Sequence, residues 1–373
     1  MSGDPSVQLV DPSAFTPPYD RALAAALARA GADVELLTSR FLHGPVPPAD
    51  GYRVRELFYR RSASRGLEAP ARRLFKGAEH LPDMLRLRGA LHADVVHYQW
   101  LTMPALDALM LPPRRPRVMT AHYVLPPRPN RRQETVARRV FARMDAVIAH
   151  SGHGAARLRG LGVPAERVRV VPHGAFDYLT RLPDEAQLPT GLEGAEGPVI
   201  LFFGLLRPYK GIDILLRAFR RVEGAELWVV GNPRMDLAPL RDLAAAAPGR
   251  VRFVPRFVDE TEIPAIFRRA DVVALPYRDV EHSGVIYTAL AFGKPVVASA
   301  AGGFPELAEH GAARLVPPED PEALGGTLAE LVSDGAERAE LAAAARAAAE
   351  GPYSWDEAAR LTRDLYRDLL ERL

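Results

Sequence analysis

The segment Phe202–Phe219, FFGLLRPYKGIDILLRAF, sets two cations, Arg207 and Lys210, between the end of an apolar strand and the start of a helix that buries Ile214, Leu215 and Phe219. Gly204 and Gly211 bracket them and permit close backbone approach. A guanidinium and an ammonium at such a junction suit a diphosphate, each charge-assisted hydrogen bond contributing about 1.5–3 kcal/mol. Alone, the loop reads equally as a solvated basic turn. A second segment, Glu281–Gly303, reads EHSGVIYTALAFGKPVVASAAGG. There Ser283 fits the N-cap position of the helical run Val285–Phe292. The amides of Gly284 and Val285 would then point out of the helix start, where the dipole favours an anion by about 0.3–1 kcal/mol. If this start meets Arg207 and Lys210, both grip one diphosphate. Lys294 reads more readily as compensation of a helix C-terminus than as a ligand contact, and Glu306 as an acid favoured in a helix's first turn.

In the first half, His122 follows the strand Arg117–Thr120 in TAHYVLPP, and His97 ends DVVHYQW with Gln99 and Trp100 beyond it. A histidine at a strand's carboxyl end can donate to a hydroxyl or ease proton flow. For His97 a satisfied structural histidine is an equal alternative. His150 and His173 also end strands, and His173 reads as a hinge or cleft residue. Tyr19 and Asp20 close the loop Asp11–Asp20, DPSAFTPPYD; they either touch a substrate or serve the start of the helix Tyr19–Ala30.

These residues need a scaffold. Strands at Val7–Asp11, Val34–Thr38, Asp94–His97, Arg117–Thr120, Ala146–His150 and Val168–Val171 alternate with helical stretches. A second set runs Pro198–Gly204, Glu226–Gly231, Arg250–Val254, Asp271–Leu275, Pro295–Ser299 and Ala313–Val316. Such alternation predicts α/β parallel sheets covered on both faces. Two Rossmann-like domains are expected, at 1–177 and 198–350, with a linker at 178–197, an alanine-rich helix at 321–349 and a last helix at 355–373. Open parallel sheets bind ligands at their strand carboxyl ends, and two sheets facing each other would make a cleft.

The chain of 373 residues has no cysteine, which excludes disulfides, thiolate zinc sites and a cysteine nucleophile. No run approaches the ~20 apolar residues of a membrane span, and the first residues lack the pattern of a secretory signal, so a cytoplasmic protein is expected. Net charge is +2, unevenly spread. Through Asp177 there are 26 basic and 16 acidic residues, so this half should prefer anionic partners. Arg53–Arg88 holds ten cations and four acids. Arg60, Arg61, Arg65, Arg72, Arg73 and Lys76 flank Leu57, Phe58, Leu74 and Phe75. The stretch reads either as a basic amphipathic helix on an anionic membrane face or as a solvated charged face. No nucleic-acid recognition motif accompanies it.

FFGLLRPYKG resembles the strand–Arg–x–x–Lys–Gly element of family-4 glycosyltransferases, which are retaining enzymes of the GT-B fold. TALAFGKPVVASAAGGFPEL and Val170–Asp177, VVPHGAFD, resemble two further segments of that family. With DVVHYQW, Thr120–His122 and His150-Ser151 the likeness covers nearly the whole chain. It implies two Rossmann-like domains facing across a central cleft, with a nucleotide diphosphate sugar on the C-terminal domain and the acceptor on the N-terminal one, and a last helix, 355–373, that crosses back to complete the N-terminal domain. It implies that Arg207 and Lys210 hold the diphosphate, that His122 lies near the transferred sugar, and that no metal or other cofactor is needed. Gly204, Glu281, His282, Ser283, Gly284, Val285 and Thr288 would line the donor site, and Tyr19, Asp20, His97, Gln99 and His173 the acceptor side of the cleft. The sequence departs from the family at two positions: Val280 and Thr288 stand where two glutamates are common. Glu281 lies one residue from the first, so a small shift would return a carboxylate to the sugar; Thr288 offers a single hydroxyl. A nucleotide-sugar epimerase on the same fold and a non-catalytic sugar-nucleotide-binding module are the alternatives.

Overall fold

The computed structural model describes residues 4–42, 46, 48–64, 69–112, 115–126, 129–182, 187–281 and 283–372. The chain divides into two compact units, residues 1–174 with 355–373, and residues 175–354.

In the first unit the strands are β1 (Ser6–Asp11), β2 (Asp33–Ser39), β3 (Arg53–Phe58), β4 (Val95–Tyr98), β5 (Arg117–Thr120), β6 (Ala146–Ala149) and β7 (Val168–Val170). They form one parallel sheet in the order β3-β2-β1-β4-β5-β6-β7. Val7 stands opposite Val34 on one side and Val95 on the other. These short aliphatic strands are buried on both faces, which is what a helix-covered parallel sheet requires. The second unit has β8 (Val199–Phe203), β9 (Glu226–Val230), β10 (Val251–Val254), β11 (Val272–Leu275), β12 (Val296–Ser299) and β13 (Ala313–Val316), parallel in the order β10-β9-β8-β11-β12-β13. Phe202, Phe219, Trp228 and Phe267 fill its core. In each unit the winding reverses between the first strand and its fourth, β1/β4 and β8/β11. Beyond the carboxyl ends of such a pair, doubly wound sheets bind ligands.

Three expectations change. Arg53–Arg88 is not one helix: Arg53–Phe58 is the sheet-edge strand β3, with Leu57 and Phe58 buried, and helices follow at Arg60–Ser64 and Ala69–Ala90. The alanine-rich tail is two helices, Pro321–Ser333 and Gly335–Glu350, because the Asp334 carboxylate caps the second by accepting from the Glu337 amide. The segment 178–197 groups with the second unit, where Leu192 is fully buried in the core.

The last helix, Trp355–Leu370, packs on helix Pro17–Arg29 of the first unit. Arg367 pairs with Asp4 at 2.6 Å and Arg363 donates to the Ala30 carbonyl. Trp355 occupies the space beside Gly174, where a β-carbon would come within 2.3 Å of the indole.

Candidate active site

The second unit brings Lys210 to a helix start. After β8 the chain turns at Gly204 and enters the short 3-10 helix Pro208–Lys210. A β-carbon on Gly204 would lie 3.1 Å from Lys210 Nζ and 3.2 Å from Val285 Cγ2, so the ammonium and the first turn of helix Gly284–Ala291 converge on one spot. Lys210 is only 7% exposed. Its Nζ lies 5.0 Å from the centre of the Tyr277 ring, and among the described residues it has no carboxylate partner. Arg207, four residues before the helix Ile212–Ala218 opens at Gly211, is exposed and also lacks an ion-pair partner among the described residues.

Ser283 holds the N-cap position, but its hydroxyl does not cap the helix. Instead it sits 3.3 Å from the Tyr277 hydroxyl. Among the described residues no side-chain hydrogen bond is seen to the first-turn amides, and the first N–H groups of an α-helix have no acceptor within it. Gly284 is exposed there, Val285 buried.

Arg278 fixes this loop. Its backbone amide donates to the Tyr209 carbonyl at 2.8 Å, and its guanidinium donates to the Pro208 carbonyl, Asp213 and Glu319. Burial would raise the Asp213 pKa, but the hydrogen bonds and charge of Arg278 prevail and hold the carboxyl below its ordinary value. Gly211, at φ +67°, lies against β11's exit: a β-carbon there would stand 2.0 Å from the Pro276 carbonyl oxygen.

The remaining donor-side residues divide. Glu281 is half-buried beside the helix start. His282 lies outside the described residues. Thr288 is buried and donates its hydroxyl to the Gly284 carbonyl at 3.0 Å, so that hydroxyl is spent inside the helix rather than presented to a ribose. Lys294 donates to the Arg268 carbonyl at 2.9 Å, in the last turn of helix Ile263–Arg269; it serves that helix's C-terminus, not the one it follows.

The first unit gathers aromatic and imidazole rings at its strand carboxyl ends. His122 stacks on Trp100, centroids 4.9 Å apart, and meets the Tyr19 ring edge-on at 4.7 Å. His150 and His173 lie 5.3 Å and 4.9 Å from the same tyrosine, and Trp355 5.2 Å. The Gln99 carbonyl accepts from His122 Nε2 at 3.2 Å, which fixes the imidazole. His173 directs Nδ1 to the Gly174 carbonyl. Among the described residues no three or more His, Asp or Glu side chains are grouped to hold a metal ion.

Tyr19, Asp20 and His97 do not present themselves at a surface. Tyr19 is buried under these rings, and burial raises its pKa, keeping the phenol neutral. Asp20 pairs with Asp11, which also accepts amides from Ser13, Phe15 and Thr16. Burial and the Asp11 carboxylate push the Asp20 carboxyl well above its ordinary range, so it is the protonated partner. His97 is fully buried between Tyr366 (Nδ1, 2.6 Å) and Thr120 (Nε2, 2.7 Å), and burial depresses its pKa to about 3. It is a neutral structural histidine. Tyr277 and Arg278 were not singled out in the sequence; their position directly after strand β11, at the switch in winding, is the signal that marks them.

Residues 21–175 match the family described as Glycosyltransferase Family 4, and residues 197–334 match Glycosyl transferases group 1. A D-inositol 3-phosphate glycosyltransferase of Xylanimonas cellulosilytica is 31% identical over 396 residues, covering 95% of this chain and 91% of its own. In fold, the chain is similar to sucrose-phosphate synthase from Thermosynechococcus elongatus, with a TM-score of 0.76 at 21% identity over 99% of this chain and 100% of that one. It is also similar to Anabaena Alr3699/HepE in complex with UDP and glucose, at 0.72 and 22% over 98% and 100%. The two wound sheets are those of the GT-B fold. The chain belongs to the group 1, family-4 glycosyltransferases, enzymes of carbohydrate biosynthesis.

Proposed function

We propose that the protein is a retaining glycosyltransferase that takes its sugar from a nucleoside diphosphate and needs no metal ion. The observation that carries this is the Lys210 ammonium: buried, without a carboxylate among the described residues, at the uncapped start of helix Gly284–Ala291. Burying a charge without a counter-ion is costly, and a diphosphate supplies the missing charge. Arg207 at the outer end of the same loop adds a second cation, and the Gly284 and Val285 amides add neutral donors. Preorganised donors of this kind act on charge as it develops on the leaving group, each contributing about 2.7–4 kcal/mol in comparable sites.

In the transfer, the bond from the anomeric carbon to the diphosphate oxygen breaks while a bond to the acceptor hydroxyl oxygen forms on the same face of the ring. The hydroxyl proton passes to the departing oxygen. The configuration is kept and no carboxylate nucleophile is required. We assign His122, oriented by Gln99, to a hydroxyl of the transferred sugar or the acceptor. Tyr19, Asp20 and His97 hold the wall behind it. The inositol 3-phosphate in the Xylanimonas relative's name supports a polyol or polyol phosphate as acceptor, and the UDP and glucose of the Anabaena structure support the donor class.

Lys210→Ala tests the assignment. Removing a buried, unpaired charge should leave the unliganded melting temperature unchanged or higher. The rise given by saturating UDP or GDP, about 2.7 kcal/mol at a hundredfold excess over Kd, should vanish, and turnover should fall about 10²–10³-fold. EDTA should leave the wild-type rate unchanged. Full turnover by Lys210→Ala would count against the proposal. Incubation with donor alone should give slow hydrolysis only; inversion at a sugar centre would instead identify an epimerase.

A further inference from the structure

Tyr59 holds a backbone conformation that suits glycine. It directly follows β3 with φ +53°, in the left-handed region that a bulky side chain avoids. Such strain persists only where the surroundings hold it from several sides. Here the Tyr59 amide donates to buried Asp83 at 2.7 Å, and the hydroxyl meets His80 Nδ1 at 2.7 Å. His80 Nε2 in turn lies 2.5 Å from Asp107 Oδ1, and both residues are buried. A carboxylate can only accept, so the proton of the neutral imidazole belongs on Nε2, and Nδ1 accepts from the Tyr59 hydroxyl. Burial raises the Tyr59 pKa to about 12, so the phenol keeps that proton.

The phenol oxygen has its lone pairs left for two other hydroxyls. Ser13 and Thr102 both lie within hydrogen-bonding reach of it, and their own oxygens are 2.8 Å apart. Ser13 follows β1 and Thr102 follows β4, the strands at which the first sheet reverses its winding. Asp107 sets the second of these loops as well, its Oδ2 accepting the Met103 amide at 2.9 Å. With their protons directed to Tyr59 or to each other, the two half-buried hydroxyls turn acceptor lone pairs outward. A strip of rings runs beside them. Phe15 is 55% exposed and Tyr123 52%, and each packs on Trp100, at centroid distances of 5.3 Å and 5.4 Å. Flat apolar faces next to a few fixed polar groups suit a polyol ring, which offers C–H faces and a rim of O–H donors.

We propose that this corner of the first unit is a subsite for a cyclic polyol or sugar acceptor, where Ser13 and Thr102 accept from ring hydroxyls and Tyr59, held by His80 and Asp107, is the positioning residue that orients them. The subsite rests on the reading of the chain as a transferase with its acceptor on the first unit. The Asp107–His80–Tyr59 chain moves no proton in the transfer; it decides which way two hydroxyls face.

The test is calorimetry of the full chain with myo-inositol, D-inositol 3-phosphate and methyl α-glucoside, with and without saturating UDP or GDP. Wild type should bind at least one of these polyols. Tyr59→Phe keeps the ring and the backbone and should bind it about tenfold more weakly, the effect of a lost hydrogen bond. His80→Leu should lose as much. His80→Gln, whose amide can bridge Asp107 and the phenol, should stay within about threefold of wild type. The thermal shift given by UDP or GDP should be the same in wild type and variants. Its absence from wild type would deny the donor reading, while the polyol titration without nucleotide still decides the subsite. The proposal fails if wild type binds none of the polyols, or if Tyr59→Phe binds them as wild type does. It also fails if polyol affinity and the nucleotide shift fall together in Tyr59→Phe, for then Tyr59 serves the fold alone.

Discussion

Tyr277 touches both halves of the proposed anion site, its ring under the Lys210 ammonium and its hydroxyl against Ser283. One side chain thus sets a cation from the β8 loop and the residue that opens helix Gly284–Ala291. Tyr277→Leu removes both contacts; a cation–π contact contributes about 0.5–2 kcal/mol, so UDP or GDP should bind roughly ten times more weakly by calorimetry. Tyr277→Phe keeps the ring and should stay within about threefold of wild type. Equal losses in the two variants would deny the ring its role. Arg207, Lys210 and Ser283–Val285 were legible in the sequence because each sits at a strand–loop–helix junction that local pattern reveals. Tyr277 was not, since an aromatic residue after a buried strand looks like core. Nor was the fate of Tyr19, Asp20 and His97: their burial comes from rings and carboxylates brought together over long sequence separations, such as His97 and Tyr366.

The loops leaving β8 and β11 are pressed together with no room for a side chain between them. Gly211 has a left-handed φ, and its missing β-carbon is what lets the Pro276 carbonyl approach. Gly211→Ala should cost about 2–4 kcal/mol, combining the strained backbone with a steric shift. A urea midpoint unchanged from wild type would show that the loops can part freely. At this scale the strand–helix alternation was readable throughout, with one exception. In β3, the run Arg53-Val54-Arg55-Glu56-Leu57-Phe58 carries so many charges that it reads as part of a basic helix; pairing with β2 at the sheet edge makes it a strand, because there only one side must be shielded.

Each sheet reverses its winding at the pair of strands whose exits carry the candidate site residues, and that architecture followed from the order of elements. The membership of the final helix in the first unit did not follow from pattern; it rested on likeness to a family. His97 gives this union a pH signature. Its pKa is about 3 when folded and near the ordinary 6.5 when unfolded. The unfolded chain therefore binds a proton that the native one refuses, so the contribution is present above pH 6.5 and drains away as pH falls toward 3. The slope is about 1.4 kcal/mol per pH unit. Between pH 6.5 and 5, wild type should lose about 2 kcal/mol more than His97→Gln in urea titrations. Parallel curves would show that His97 titrates normally.

Because residues 355–373 complete the unit begun by residues 1–174, the nascent polypeptide meets its own parts out of order. At about 5–20 residues per second, the intervening stretch occupies the ribosome for roughly ten to forty seconds. Throughout that interval the groove on helix Pro17–Arg29 awaits its cover, while the contiguous second unit can finish first. Of the two units, the one begun first is thus the last to become whole.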